Sequence, residues 1–87
     1  MWYVYVIHSK VSNFRYIGST NDIRRRLQEH GDGLTQSTKS YRPFELEAYI
    51  AVRREQQARL LEKYFKTGSG KTILYKRILD AGKRGHQ

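Results

Sequence analysis

Four side chains have types and spacings that could do chemistry together: Tyr5 and Tyr16, eleven residues apart, and Arg26 and His30, four apart. Tyrosines on paired strands joined by a short loop can stand side by side, and residues four apart on a helix share a face. An arginine offers planar donors to phosphate oxygens and stabilises the charge that builds on them in a transition state. A histidine or a tyrosine next to it can move the proton of an attacking water. Gathered at one sheet end, the four would suit phosphodiester cleavage. Each alone has a plainer use. The chain has seven tyrosines, and strands favour them for packing. An arginine-rich turn such as Arg24-Arg25-Arg26 is commonly a solvated face, and a histidine near a helix end is commonly a cap. The joint spacing carries the reading, with Arg24 and Arg25 expected to point away from the site.

The elements that must position these groups follow from periodicity. Trp2 to His8 and Phe14 to Gly18 are rich in aromatic and β-branched residues, and the polar Ser9-Lys10-Val11-Ser12-Asn13 between them suits a hairpin. Asn21 or Asp22 can cap a helix over about 22–30, in which Ile23, Leu27 and His30 recur at helical spacing before Gly31-Asp32-Gly33 ends it. A polar stretch, Leu34 to Arg42, leads to Pro43, and Phe44 to Ile50 alternates as a half-buried strand does. A second helix is predicted over about 54–66, with Ala58, Leu61 and Phe65 inward and Leu60 and Tyr64 widening the stripe, until Gly68-Ser69-Gly70 breaks it. A shorter third helix over 71–81 would turn Ile73, Leu74, Ile78 and Leu79 inward. The expected fold is a small single α/β domain over 1–81 in the order β-β-α-β-α-α. It has a central three-stranded antiparallel sheet flanked by about three helices, and a flexible basic tail follows at 82–87.

Composition narrows the class. Eighty-seven residues without a cysteine make one domain that rests on packing alone, with neither a disulfide framework nor a thiolate zinc site. Seventeen lysines and arginines against eight aspartates and glutamates give a net charge of +9, which suits a nucleic-acid partner. The charge is shared by both halves of the chain: residues 1–44 hold seven basic and three acidic residues, residues 45–87 ten and five. A ribosomal or other cationic protein would show the same composition. The apolar start, Met1 to Ile7, is too short for a membrane span and lacks the basic lead of a signal peptide, so a soluble cytoplasmic protein with no membrane partner is expected.

Gly68-Ser69-Gly70-Lys71-Thr72 imitates the end of a phosphate-binding P-loop, but Phe65 stands where that motif needs its first glycine, and a helix precedes it instead of a strand. No nucleotide cofactor is expected. The segment reads instead as a helix break that exposes backbone amides and Lys71 to a nucleic-acid phosphate, or as a plain turn.

Tyr3-Val4-Tyr5 and Tyr16-Ile17-Gly18, followed by the helix that carries Arg26 and His30, resemble the two motifs of the GIY-YIG nuclease superfamily. The likeness covers Trp2 to about Leu79. The second motif is intact; in the first, Tyr3 replaces the glycine and Val4 the isoleucine. The stretches at 37–44 and 66–72 are similar to those of small stand-alone bacterial members close to excinuclease-type and uncharacterised proteins. The resemblance implies that Tyr5, Tyr16, Arg26 and His30 are catalytic. It also implies a metal-binding glutamate on the helix after the third strand, where Glu62 fits and Glu55 is a weaker rival, because a carboxylate at a helix start is favoured by the dipole. The plainer use of Glu62 is a stabilising pair with Lys66, four residues on. The late asparagine of some members is missing.

The expectation is therefore a Mg²⁺- or Mn²⁺-dependent endonuclease. It would hydrolyse phosphodiester bonds in DNA with structure or strand selectivity, in repair, recombination or processing, with a protein partner supplying specificity. Lys39, Arg42, Lys66, Lys71, Lys76 and Arg77 would line the backbone track and make binding salt-sensitive. The alternatives are a non-catalytic nucleic-acid-binding module of a larger DNA or RNA complex and a ribosome-associated RNA binder. Neither gives Tyr5, Tyr16, Arg26, His30 and Glu62 a reason to act together.

Overall fold

The structure, a computed structural model, describes residues 1–79; the expected helix end at 81 and tail at 82–87 lie outside the described residues. Three strands, β1 (Trp2–Ser9), β2 (Arg15–Thr20) and β3 (Phe44–Val52), form one antiparallel sheet in the order β2-β1-β3. The central strand is buried on both faces, Val4 to Ile7 without interruption, which is why its sequence is a continuous apolar and aromatic run. β3, at an edge, keeps the alternation of a half-covered strand.

The expected helices are α1 (Ile23–Gly31), α2 (Glu55–Phe65) and α3 (Gly68–Ile73). Val4, Val6 and Ile17 turn to one sheet face and form the main core with Ala58 and Phe65 of α2 and with Leu74 and Leu79 beyond α3. The opposite face carries Tyr5, Ile7 and Tyr16, and α1 lies over it with His30 as its buried residue. Asp22 caps α1 by accepting the Arg25 N–H at 3.0 Å, as its residue type suggested. Helices on both faces of the sheet leave β2, an edge strand, with a long side open to solvent, where groups from the two layers can meet.

Three expectations need correction. Gly68-Ser69-Gly70 does not end α2; it is the first turn of α3, and the break falls at Lys66 and Thr67. The Thr67 hydroxyl accepts the Gly70 N–H at 3.1 Å and starts the new helix. Gly70 is needed there because a Cβ would overlap the Tyr64 carbonyl, against which α3 packs. The stripe of α2 is also narrower than expected: Leu60 is 61% exposed and Tyr64 is exposed as well, each lying one residue, about 100°, off the Ala58-Leu61-Phe65 line. Beyond α3 the chain widens into a π-helical turn, Leu74–Ile78, closed by the Leu79 N–H to the Leu74 carbonyl at 2.9 Å. The five-residue step turns Leu74 and Leu79 inward and leaves Ile73 and Ile78 exposed.

β3 holds one irregularity. Val6 faces Ala48 but Ile7 faces Leu46, so Glu47 is an extra residue in the ladder. Its carboxylate reaches across β1 to take both hydrogen bonds of the Arg15 guanidinium, at 2.7 and 3.0 Å, and this fork ties the two edge strands together.

Candidate active site

The intact second motif owes its glycine to Tyr5. Tyr5 faces Gly18 across the ladder and Ile7 faces Tyr16, so the two tyrosines are diagonal neighbours on one face. The Tyr5 ring folds over Gly18, where a Cβ would stand 2.5 Å from the Tyr5 hydroxyl oxygen and 3.0 Å from the Tyr16 ring. Without that Cβ the rings come to a 6.3 Å centroid distance. The replaced glycine of the first motif, Tyr3, lies on β1 outside this contact.

α1 completes the group. The Tyr5 hydroxyl and His30 Nε2 are 2.8 Å apart, and His30 Nδ1 is 2.8 Å from the Thr38 hydroxyl. Thr38 gives its own proton to the Thr35 carbonyl at 3.4 Å, so its oxygen accepts from Nδ1–H. Nε2 is then the acceptor of the Tyr5 proton. Tyr5 and His30 are each 1% exposed and Thr38 is fully enclosed. Burial first, and the nearby Arg26 charge second, lower the His30 pKa to about 4, so the imidazole is neutral at ordinary pH. Burial likewise pushes the Tyr5 pKa up to about 12 against the pull of Arg26, so Tyr5 is a neutral donor in the resting site.

Arg26 stands beside Tyr5 with its Nη1 bonded to Glu29 at 2.9 Å. That bond in the first place, and the Tyr5 hydroxyl after it, raise its pKa, so the guanidinium is permanently charged. Its side chain is about a third exposed, which leaves part of the fork for a substrate. Arg25 was expected to point away, yet it lines the same recess as Arg26.

Glu62 arrives from the other layer. Ser19, at the open side of β2, donates to its Oε1 at 2.5 Å, Lys66 binds its Oε2 at 2.8 Å, and Arg59 donates to the Ser19 oxygen at 3.0 Å. Burial works to raise its pKa, but the bonds from Lys66 and Ser19 and the charges of Lys66 and Arg59 outweigh it and hold the carboxyl below its usual value. The Glu62 charge acts on Tyr5, and Lys66 lies 5.9 Å from the centre of the Tyr16 ring. The Glu62–Lys66 pair is thus both the ordinary i,i+4 bridge and part of the site. Glu55, its rival, pairs with Arg59 at the exposed start of α2.

The five expected residues therefore meet along β2. The basic residues are more scattered. Lys66 and Lys71 line a recess of about 230 Å³ next to Tyr16. Lys39 and Arg42 lie on the connection after α1, where Arg42 Nε bonds the Lys39 carbonyl at 2.9 Å, and Lys76 and Arg77 are exposed in the π-helical turn. Sequence reasoning missed Thr38, Glu29 and Ser19. Glu29 could have been found three residues after Arg26; Thr38 and Ser19 carry no spacing signal.

The sequence model of the GIY-YIG catalytic domain matches residues 1–77. The chain belongs to the GIY-YIG family. Its general role is accordingly that of a nuclease domain. Among solved structures it is similar to the UPF0213 protein BH0048 from Bacillus halodurans, determined by solution NMR. The two are 28% identical with a TM-score of 0.56, and the match covers 93% of this chain and 89% of that one. No curated protein matches the chain. In this GIY-YIG domain Gly18 and the two tyrosines belong together because the Tyr5 ring fills the space that a Cβ at Gly18 would take. No helix among the described residues is long and apolar enough to cross a membrane.

Proposed function

We propose that the chain is a metal-dependent endonuclease that hydrolyses phosphodiester bonds in DNA, selective for strand or structure, in repair, recombination or DNA processing. One observation carries this: the neutral Tyr5–His30 pair, the charged Arg26 and the ionised Glu62 come from three elements, the sheet and the helices on its two faces, and converge along β2. Binding a phosphate needs only the guanidinium; the tyrosine–imidazole pair beside it adds a route for a proton.

Arg26 takes the scissile phosphate, and its charge grows in value as negative charge builds on the phosphoryl oxygens. Tyr16, half-buried in the wall of a recess, holds the attacking water against the phosphate. Tyr5 and His30 form the proton path behind it: as Tyr5 accepts a proton at its oxygen, its own passes to Nε2, and the imidazolium is held through Nδ1–H by Thr38. A His30 with a pKa of about 4 is a weak base in the resting site. An incoming phosphate offsets the Arg26 charge, one of the two causes that hold the value down, and so raises the basicity when it is needed.

Among the described residues no group of three or more His, Cys, Asp or Glu side chains could jointly hold a metal. Glu62 and Ser19 are hard oxygen donors, and one ionised carboxylate fits Mg²⁺ or Mn²⁺, ions that keep several waters and borrow oxygens from the substrate phosphate. Glu62 would hold the ion with Ser19 beside it, and Lys66 would release Oε2. Such an ion supplies Lewis-acid stabilisation at phosphoryl oxygen.

End-labelled single-stranded, duplex and branched DNA incubated with Mg²⁺, Mn²⁺ or EDTA test the reading. The native chain should give metal-dependent products that Glu62→Ala loses. Salt-sensitive binding by both proteins with no cleavage of any substrate would assign a non-catalytic binding module instead.

A further inference from the structure

Two recesses adjoin the site at the end of the sheet where β1 begins and β2 ends, and they share Asn21 as a common wall. Their linings differ in chemistry. The first, about 280 Å³, is walled by Arg25 and Arg26 of α1, which share the Glu29 carboxylate, and by Arg59 of α2, paired with Glu55, so three guanidiniums meet two carboxylates. Arg26 belongs to the proposed catalytic group, so this recess continues directly from it. The second, about 340 Å³, is walled by Tyr3 and Tyr49, with Asp22 and Arg24 at its rim. Tyr3 and Tyr49 meet edge to face at 5.9 Å, and Tyr49 is 56% exposed. It pairs with Tyr5 in the ladder and so belongs to the same sheet face as the catalytic tyrosines.

The first recess suits an anion. The second does not, because the Asp22 carboxylate at its rim, fixed there as the cap of α1, balances the charge of Arg24 beside it. An open, partly exposed tyrosine flanked by a polar amide suits a flat, neutral, aromatic group with a hydrogen-bonding edge. A nucleotide is both: an anionic phosphate joined to such a group. Within a continuous duplex both faces of each base are already covered by neighbours, so away from the ends only an unpaired nucleotide can lay its base on a tyrosine.

We infer that an unpaired nucleotide adjoining the scissile phosphodiester seats its phosphate among Arg25, Arg26 and Arg59 and stacks its base on Tyr49 against Tyr3. The substrate class is then single-stranded DNA or the single-stranded arm of a branched molecule, not continuous duplex. This rests on the chain being the DNA nuclease proposed above, and it adds a subsite that sets which strand is taken.

The test is fluorescence anisotropy in EDTA, with labelled oligothymidylate and a duplex of equal length, for the native chain, Tyr49→Ala, Tyr49→Phe and Arg25→Ala. Tyr49 and Arg25 are exposed, so their replacement leaves the core intact. Tyr49→Ala should weaken single-strand binding about tenfold and duplex binding less than about twofold, with Tyr49→Phe close to native. Arg25→Ala should lower the slope of log affinity against log salt by about 0.7 on the single strand. An unchanged single-strand affinity in Tyr49→Ala, an equal loss on duplex, or no measurable binding of the native chain to the oligothymidylate would overturn the inference. Cleavage assays on the same proteins keep the two readings apart. Tyr49-dependent binding by a chain that cuts nothing upholds the subsite and removes the reaction, whereas cleavage by a chain whose binding ignores Tyr49 does the reverse.

Discussion

His30 is a base that the fold keeps unprotonated. Its pKa lies near 4 in the folded chain against an ordinary 6.5, so between these values the unfolded chain binds a proton that the folded one refuses. Stability attached to His30 is therefore complete above about pH 6.5 and falls as the pH drops towards 4, by about 3 kcal/mol at the end of that window. Urea unfolding at pH 7 and pH 4.5 checks this. His30→Gln should lose less stability between the two pH values than the native chain, even though it starts lower; equal losses would mean that His30 takes up its proton at the same pH in the folded chain as in the unfolded one. The tyrosines separate in a similar way. Tyr5→Phe leaves Nε2 of a buried histidine without its donor and should cost about 1–3 kcal/mol as well as activity. Tyr16→Phe, at a half-buried position in the wall of a recess, should lower the rate about 100-fold or more while the melting temperature stays near native. Unfolding curves and single-turnover cleavage of both variants would show whether the two hydroxyls divide their work so.

At the level of elements, glycines decide where helices and strands approach. Gly18 gives the Tyr5 ring its place and Gly70 lets α3 pack on the Tyr64 carbonyl. Alanine at Gly70 should cost about 1–3 kcal/mol, read as a drop of several degrees in melting temperature, with the folded fraction still active. Alanine at Gly18 should cost a similar amount but also abolish cleavage, because it moves Tyr5 and Tyr16; an active, stable Gly18→Ala would refute the role given to that contact. The same glycines show what was legible in the sequence. The strands, α1 and the shared sheet face of Tyr5 and Tyr16 could be read because alternation, caps and motif spacing are local signals, although the register makes the two tyrosines diagonal neighbours and not a cross-strand pair. Gly68-Ser69-Gly70 misled because a glycine cluster usually ends a helix, whereas here its lack of side chains serves a contact between helices. The π-helical turn was hidden for a related reason: with Ile73, Leu74, Ile78 and Leu79 all apolar, only the backbone spacing selects Leu74 and Leu79. Thr38 and Ser19 were invisible because polar residues in a polar stretch become specific only when a distant element reaches them.

On the scale of the whole molecule, a charge of +9 shared between both halves of the chain attracts nucleic acid from any direction without saying where it lands. Landing is set by those cations that touch phosphate, since only direct contacts release condensed counterions and appear in the salt dependence. Lys66 and Lys71 border the recess beside Tyr16, while Lys76 and Arg77 project from the exposed turn beyond α3. If the substrate backbone runs along the open side of β2, the two pairs should behave differently although their formal charge is the same. Replacing Lys66 and Lys71 together by alanine should lower the slope of log affinity against log salt by about two for duplex and about 1.4 for a single strand. Replacing Lys76 and Arg77 together should change the slope by less than half of that. Salt titrations of binding in EDTA, with Glu62→Ala as the background so that loss of the Lys66 pair does not leave an unpaired carboxylate, make the comparison. Equal slopes for the two double variants would mean that attraction is spread over the whole surface and that the track does not follow β2.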